Sequence, residues 1–449
     1  MNHDKKSKKA ALHNLGCKVN SYELEATRQL LEAAGYEIVP FEPGADLYII
    51  NTCTVTNIAD RKSRQMLHRA KKMNPDAIVA AMGCYAQVRG AELEKDPAID
   101  IVIGNNQRGK LLEVLSGISG GGGRRDALIN INQTHEYEPI SIDRAESHTR
   151  AFIKVQDGCN QFCSYCIIPY ARGRVRSRDP ESVVREVRSL AANGTREIVV
   201  TGIHVCSYGR DFHEDDALLH LLQKLNGIEG IDRIRLGSLE PASITREAAR
   251  EMAKLDRLCP HFHLSLQSGC ARTLERMNRG YTPEEYAEIV ANLREAFDDP
   301  AITTDVIVGF PGETEEDFEE SVRFVETIGF YETHIFPYSR RAGTRAADFP
   351  DQITERVRKE RAAVLLKLNE KNRAAYLAKQ IGREAEVLTE ERIEAEGAAW
   401  WMGHTREYRK VLIPDPGDGA PNRMVRVVPT RILDGKYLAA DSPDHGDSV

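Results

Sequence analysis

The sequence predicts an α/β protein with an N-terminal parallel-sheet α/β domain, a partial (β/α)6 barrel of the TIM type and a small C-terminal β-barrel. Short apolar stretches alternate with amphipathic ones over residues 10–116, and six strand–loop–helix units follow residue 150. Short alternating strands separated by turns follow Gly382. The predicted boundaries are 1–116 for the first domain, 117–148 for a linker, 149–380 for the barrel, 381–441 for the C-terminal barrel and 442–449 for a tail.

The composition of the 449-residue chain is that of an ordinary globular protein, with 41% hydrophobic and 29% charged residues. The chain has no run of eighteen apolar residues that would predict a membrane span, and its lysine-rich start lacks the apolar core of a secretion signal. Nine cysteines in such a chain favour a reducing compartment. We therefore expect a cytoplasmic protein with neither a membrane nor a DNA partner. The net charge of −7 means that any RNA contact must be local.

The N-terminal domain is predicted from four apolar strands and the helices between them. The predicted strands are Ala10–Leu15, Leu47–Asn51, Ala77–Met82 and Ile101–Ile103, and the predicted helices include Ser21–Ala34 and Ala59–Met73. Cys17, Cys53 and Cys84 each come just after one of the first three strands. Because the carboxyl ends of parallel strands share one edge of a sheet, we expect the three thiols to meet in a shared ligand site. The alternative for each cysteine is a small core residue.

The glycine run Gly120–Gly123 predicts a flexible linker, after which strand, loop and helix repeat. The predicted strands are Phe152–Gln156, Glu197–Thr201, Arg233–Gly237, His263–Leu266, Thr304–Val308 and Thr333–Phe336. The predicted helices are Pro180–Ala192, Ala217–Leu225, Thr245–Leu255, Pro283–Phe297, Glu315–Ile328 and Gln352–Lys379. A site in such a barrel is expected at the carboxyl ends of its strands.

Polar residues follow several of these strands. Ser238, Glu240 and Gln267 stand where side chains can hydrogen-bond the amino, carboxylate and ribose groups of a ligand. The alternative is ordinary turn chemistry between a strand and the next helix.

Three cysteines open the first barrel loop. Cys159, Cys163 and Cys166 lie within eight residues, and three thiolates at this spacing can reach one iron–sulfur cluster. A four-iron cluster held by three protein ligands keeps one iron open for chemistry. Zinc is the alternative, but structural zinc sites usually combine two separated pairs, and no Cys-x-x-Cys occurs elsewhere in the chain.

The C-terminal barrel is predicted from the strands Glu386–Leu388, Ala398–Met402, Tyr408–Ile413 and Met424–Val428. Trp400 and Trp401 suit either an oligonucleotide-binding surface or core packing. Three basic stretches are candidates for RNA contact, and the alternative for each is a solvated face. They are Arg61–Lys72, Arg172–Arg178 and Arg406–Lys410.

The motif Cys-x-x-x-Cys-x-x-Cys, with Tyr165 before its last cysteine, resembles the signature of radical S-adenosylmethionine (SAM) enzymes. The three predicted parts, in this order, resemble the methylthiotransferase family, whose C-terminal barrel is a TRAM domain. The resemblance extends over about residues 11–440 and includes all six expected ligand cysteines. It implies an auxiliary 4Fe-4S cluster on Cys17, Cys53 and Cys84. It also implies a SAM-cleaving 4Fe-4S cluster on Cys159, Cys163 and Cys166.

The resemblance further implies a tRNA substrate and a low-potential electron donor such as flavodoxin or ferredoxin. It also implies a SAM pocket, for which our candidates are Tyr165, Ser238, Glu240 and Gln267. Three branches of the family act on threonylcarbamoyl-adenosine in tRNA, isopentenyl-adenosine in tRNA, or an aspartate of a ribosomal protein. The run Leu15–Asn20 looks most like the first branch, because the second reads Gln-Met and the third Pro-Lys after the first cysteine. A non-catalytic iron–sulfur redox protein that binds RNA is the remote rival. Cys206, Cys259 and Cys270 match no ligand position and are expected to be structural.

Overall fold

The computed structural model describes residues 7–119, 125–145, 149–415, 417 and 419–441. It confirms the predicted fold class: two parallel α/β units are followed by a curled, mainly antiparallel sheet. The predicted glycine linker Gly120–Gly123 and the tail 442–449 lie outside the described residues. Within the described part, no helix is both long and apolar enough to span a bilayer.

The N-terminal sheet is parallel throughout, with strand order β2-β1-β3-β4-β5-β6. Its strands are β1 (Lys9–Asn14), β2 (Glu37–Val39), β3 (Leu47–Thr52), β4 (Ile78–Gly83), β5 (Ile101–Ile103) and β6 (Arg125–Ala127). Its helices are α1 (Lys18–Ala33), α2 (Asn57–Met73), α3 (Cys84–Leu93) and α4 (Leu111–Ser119). The sequence analysis did not predict β2 or β6, and β6 lies in the segment that it assigned to a linker.

Apolar side chains cover both faces of this sheet. Leu47 and Ile49 of β3 pack in the same core as Leu31 of α1, whereas Tyr48 and Ile50 point to the opposite core. Every residue of β3 is buried, as expected for a central strand of a parallel sheet with helices on both faces. The loops at the strand ends are therefore held on a rigid base.

Six parallel strands form the barrel wall, one of which is interrupted, and a short antiparallel strand lies beside them. The strands are β7 (Arg150–Asp157), the short antiparallel β8 (Arg176–Ser177), β9 (Glu197–Gly202), β10 (Arg233–Leu236), β11 (Ser238–Leu239), β12 (His261–Leu264), β13 (Ala301–Val308) and β14 (Glu332–Pro337). They form two sheets, β10-β9-β7-β8 and β11-β12-β13-β14. Only Gly237 separates β10 from β11, so one interrupted strand joins the two sheets. The helices are α5 (Ile168–Arg172), α6 (Pro180–Ala192), α7 (Ala217–Asn226), α8 (Arg246–Ala253), α9 (Ala271–Arg276), α10 (Pro283–Ala296), α11 (Glu315–Ile328) and α12 (Glu355–Ala378).

The barrel has a polar lumen. Ile153, Val155, Ile198 and Val200 point outward into the core that the helices cover. Because successive side chains of a strand alternate between its two faces, the intervening positions face the lumen. They carry many polar residues, among them Arg150, Lys154, Glu197, Arg235, His263, Asp305 and His334.

The C-terminal sheet has the order β18-β15-β16-β17-β20-β19. Its strands are β15 (Ala385–Ala395), β16 (Ala398–Thr405), β17 (Lys410–Pro414), β18 (Met424–Val427), β19 (Pro429–Leu433) and β20 (Tyr437–Ala440). The edge strands β18 and β19 are separated by Val428 alone, so the sheet curls back on itself. The sequence analysis missed β19 and β20.

The turn between β16 and β17 docks on the barrel where its strands begin. Arg233 donates to the carbonyl of His404 at 2.8 Å, and Arg235 donates to that of Arg406 at 2.8 Å. The Tyr408 ring stacks on His404 with centroids 4.4 Å apart and lies 4.6 Å from the Arg235 guanidinium. The candidate RNA contact at Arg406 is therefore wrong, because the Arg406 guanidinium donates to the Leu258 carbonyl at 2.9 Å and this turn joins the two domains.

Replacing Tyr408 with alanine removes the stacked ring and both of its guanidinium contacts, those with Arg150 and Arg235. We expect the free energy of unfolding to fall by about 2 kcal/mol. Thermal unfolding measures the change. Tyr408→Phe keeps the ring and serves as the control, and an equal loss of stability in both variants contradicts the stacking role.

Candidate functional site

Cys17, Cys53 and Cys84 lie at the carboxyl ends of the adjacent strands β1, β3 and β4. Their thiols are within electrostatic range of one another. Cys17 is exposed, yet desolvation by the surrounding protein is the largest effect on its thiol and raises its pKa, while desolvation at Cys53 brings the pKa to about 11. Such thiols are protonated at neutral pH unless an electrophile such as a metal ion binds them. The donor set thus fits an iron–sulfur cluster with three protein ligands.

The backbone around Cys84 is tightly constrained. Gly83, which precedes it, has φ +94°, and a Cβ there would lie 2.6 Å from Asn51 Oδ1 and 2.8 Å from the Thr52 carbonyl. Only glycine fits this turn, which places Cys84 at the first position of α3. Two side chains can donate to the Cys84 thiol: Arg172 Nε at 3.1 Å and Asn105 Nδ2 at 3.7 Å.

Cys159, Cys163 and Cys166 lie in the loop between β7 and α5 and also interact electrostatically with one another. Burial raises the pKa of Cys159 to about 11 and that of Cys166 to about 12. Gly158 at φ +74° and Phe162 at φ +50° turn the chain around the three thiols. The amide of Ser164 donates to the Met277 carbonyl at 2.9 Å, which anchors the loop to the rest of the barrel.

Glu240 and Arg279 form an ion pair beside this loop. Arg279 Nη2 lies 2.7 Å from Glu240 Oε2, and Arg279 Nη1 donates to Cys163 Sγ at 3.2 Å. His204 Nε2 lies 3.7 Å from the same carboxylate. Burial alone would raise the pKa of Glu240, but His204 and Arg279 outweigh it, so the net shift is downward. An ionised carboxylate therefore lies next to the SAM-type cysteine motif.

The other pocket candidates occupy different environments. Gln267 has φ +67° and is held against β13 by two backbone hydrogen bonds, each 2.8 Å long: its amide donates to the Asp305 carbonyl and its carbonyl accepts from the Ile307 amide. Ser238 pairs with His263 and is exposed. The Tyr165 ring packs edge-on against Phe310, with centroids 6.5 Å apart, in a small apolar cluster.

The sequence analysis missed several polar residues of the lumen. His263 Nε2 lies 3.3 Å from Asp305 Oδ2, and one side-chain atom each from His263, Asp305 and His334 lie within 4.8 Å of one another. Lys18 of α1 is solvent-accessible and within electrostatic range of Arg235 and Asp305. The alternation of side chains along β12, β13 and β14 could have identified the barrel residues that face the lumen. No sequence pattern could have identified Lys18 as one of them, because it belongs to another domain.

Three cysteines have other surroundings. Cys206 Sγ accepts a hydrogen bond from the Glu240 amide at 3.3 Å, which supports the loop that carries this carboxylate. Cys259 and Cys270 are buried.

Two of the basic stretches differ in their exposure to solvent. Arg172, Arg176 and Arg178 are buried and ion-paired, so the prediction that this stretch contacts RNA is wrong for these three residues. In contrast, α2 presents an exposed basic face. It comprises Arg61, Lys62, Arg64, His68, Arg69 and Lys72.

Comparison with known proteins gives matches to family models, to curated proteins and to a solved structure. A radical SAM superfamily model matches residues 153–325, and a model of the uncharacterized protein family UPF0004 matches residues 9–104. The chain is 42% identical to the threonylcarbamoyladenosine tRNA methylthiotransferase MtaB of Bacillus subtilis (strain 168), over 95% of this chain and 94% of that protein. It is 39% identical to the tRNA-2-methylthio-N(6)-dimethylallyladenosine synthase of Thermoanaerobacter sp. (strain X514), over 84% of this chain and 81% of the relative.

Among solved structures, the radical SAM methyltransferase TsrM from Kitasatospora setae matches with a TM-score of 0.56 at 20% identity. The match covers 74% of this chain and 73% of TsrM. At this identity the likeness shows a shared fold.

If both cysteine sets hold clusters, replacing Cys17, Cys53 and Cys84 together with alanine lowers the iron bound per chain by about half. Replacing Cys159, Cys163 and Cys166 has the same effect. Iron analysis of anaerobically reconstituted protein measures both variants. The matched control replaces Cys206, Cys259 and Cys270 and retains all of its iron. Unchanged iron in either ligand variant contradicts the assignment of that set.

Proposed function

The chain belongs to the radical SAM methylthiotransferase family, and we propose that it transfers a methylthio group to C2 of threonylcarbamoyl-adenosine next to the anticodon of tRNA. The family resemblance predicted from the sequence is confirmed by relatives at 42% and 43% identity. Both relatives are named for threonylcarbamoyladenosine in tRNA, which supports this substrate. The observation that carries the proposal is a polar barrel lumen with both sets of three cysteines close to it.

The cofactors are SAM and two 4Fe-4S clusters. We assign the auxiliary cluster to Cys17, Cys53 and Cys84, and the SAM-cleaving cluster to Cys159, Cys163 and Cys166. When bound, these groups supply the radical that opens an unactivated C–H bond, the methyl group and the sulfur.

The residues of the chain bind and orient the reactants. The Glu240 carboxylate is ionised and lies where it can accept hydrogen bonds from the amino group of SAM, with Arg279 fixing its position. Ser238, Gln267 and Tyr165 are the further candidates for contact with SAM. Helix α1 packs against β7 and β9, which places its first turn beside the lumen.

One cation of the lumen, Lys18, favours threonylcarbamoyl over isopentenyl. A threonylcarbamoyl group has a free carboxylate and a hydroxyl, whereas isopentenyl is apolar. Arg150 and Arg235 are already paired with Glu197. Within the described chain, the Lys18 ammonium has no hydrogen-bond partner, so it is available to the substrate carboxylate. The exposed imidazole of His334 can hydrogen-bond the hydroxyl.

The exposed basic face of α2 suits the phosphates of the anticodon stem–loop. This helix starts four residues after Cys53, and Val55 and Ile58 beside its start are 51% and 56% exposed. Apolar and basic groups at the rim of a site are suited to unpaired bases and their backbone. We further propose a cytoplasmic location and a low-potential electron donor such as flavodoxin or ferredoxin.

Anaerobic protein supplied with SAM and a strong reductant is expected to release 5′-deoxyadenosine. Cys163→Ala removes one thiolate of the set assigned to the SAM-cleaving cluster and should abolish the release, which chromatography with mass detection measures. Cys270→Ala, at a buried cysteine away from both sets, is the control that should still cleave SAM. Persistent cleavage by the Cys163 variant would sink the assignment.

Lys18→Gln tests substrate choice. Loss of a charged hydrogen bond of about 1.5–3 kcal/mol should lower kcat/KM for tRNA carrying threonylcarbamoyl-adenosine about tenfold or more. The kcat/KM for tRNA carrying isopentenyl-adenosine should not fall, so the ratio of the two constants changes. Lys18→Arg keeps the charge and should restore part of the preference, while Lys95→Gln, at an exposed lysine of the same domain, should behave as the natural protein. An unchanged ratio in Lys18→Gln contradicts carboxylate recognition by Lys18.

A further inference from the structure

A buried group of charges lies between the two sets of cysteines. The Glu23 ion cluster, as we name it, consists of three carboxylates and four cations: Glu23, Glu138, Asp157, Arg108, Lys154, Arg172 and Arg176. Each of its side chains is at most 5% exposed. Burying this many charges costs several kcal/mol per ion, so stability alone does not explain the cluster.

Arg172 is the member that reaches a proposed cluster ligand. Its Nε donates to Cys84 Sγ at 3.1 Å, its Nη2 donates to Glu23 Oε2 at 2.9 Å, and its Nη1 lies 3.4 Å from Asp157 Oδ2. Arg172 ends helix α5, which begins two residues after Cys166. A single short helix thus connects the SAM-type cysteine loop with a thiol of the auxiliary set.

The charges of the Glu23 ion cluster do not balance. Four cations face three carboxylates, which leaves one positive charge in excess. Burial alone would raise the pKa of Glu23, but Arg108, Arg172 and Lys154 outweigh it and lower the pKa to about 2, so the carboxylate is ionised. An oxidised four-iron cluster on three thiolates has one net negative charge, which this excess offsets. Reduction adds a second negative charge beside the same guanidinium.

We propose that Arg172 is a positioning residue that raises the reduction potential of the auxiliary cluster. The proposal rests on the proposed function, because it takes Cys17, Cys53 and Cys84 as the ligands of that cluster. Hydrogen bonds to ligand sulfurs and nearby net charge are known determinants of iron–sulfur potentials. In a buried site the charge is poorly screened, so its effect on the reduced form is large. Arg172 belongs to helix α5, which follows Cys166. The helix that leaves one cysteine set therefore controls the reduction potential at the other set.

The test is redox titration of the auxiliary cluster, followed by electron paramagnetic resonance. The full chain carries Cys159, Cys163 and Cys166 replaced by alanine, so that only the auxiliary cluster contributes. Arg172→Gln is expected to make reduction at least tenfold less favourable, which is a downward shift of 59 mV for one electron. Arg172→Lys keeps the charge without the Nε–H donor and should shift the potential less.

Glu23→Gln is expected to shift the reduction potential in the opposite direction. This test does not depend on whether the Arg172 variants fold. Removing this carboxylate increases the positive excess, so the potential should rise. Arg178→Gln is the matched control, because Arg178 is also buried and ion-paired but pairs with Glu186, outside the Glu23 ion cluster. Its potential should equal that of the parent chain.

Two failures are distinguishable. If the parent chain lacking the SAM-type cysteines binds no iron, the ligand assignment in the proposed function fails and the inference fails with it. If the cluster is present but its potential is the same in Arg172→Gln, Glu23→Gln and the parent, the proposed function survives and the role of Arg172 is overturned.

Discussion

The structure depends on one set of contacts: the buried ion pairs by which helix α1 joins the N-terminal domain to the barrel. Cys17 precedes the first turn of this helix, and Glu23, one and a half turns later, is buried among Lys154 and Arg172 of the barrel. Removing one partner of a buried ion pair costs about 3–5 kcal/mol, so these contacts fix the two domains in register. The N-terminal domain is thereby anchored to the barrel through α1, β7 and β9.

The end of the barrel at which its strands begin is covered by the C-terminal domain, again through buried arginines and an ion pair. Glu197, Arg150 and Arg235 occupy the starts of the strands, and the turn that carries Tyr408 covers them. Arginine side chains are suited to this junction because each can donate to several carbonyls and stack on an aromatic ring at once. The lumen is thus bounded by the N-terminal domain on one side and by the C-terminal domain below.

The local pattern of apolar and polar residues was sufficient to predict most of the helices and strands. Helices Pro180–Ala192 and Glu315–Ile328 were predicted at their observed bounds, and in the structure the side chains of Asp179 and Thr314 cap their first turns. Strand β6 was missed, since three residues beside a glycine run carry little periodicity. The roles of Lys18, Arg172 and Arg279 were not predictable, because each depends on contacts between segments far apart in the chain. The same limit explains why the buried arginines after Cys166 were candidates for RNA contact or a solvated face and were not predicted to be buried.

The most direct test of the account is the nucleoside profile of tRNA from a strain that lacks this protein, determined by mass spectrometry. The account predicts that the methylthio derivative of threonylcarbamoyl-adenosine disappears and its unmethylthiolated precursor accumulates. The natural gene should restore the derivative, and a gene with Cys53→Ala should not. A profile that is the same with and without the protein contradicts the account.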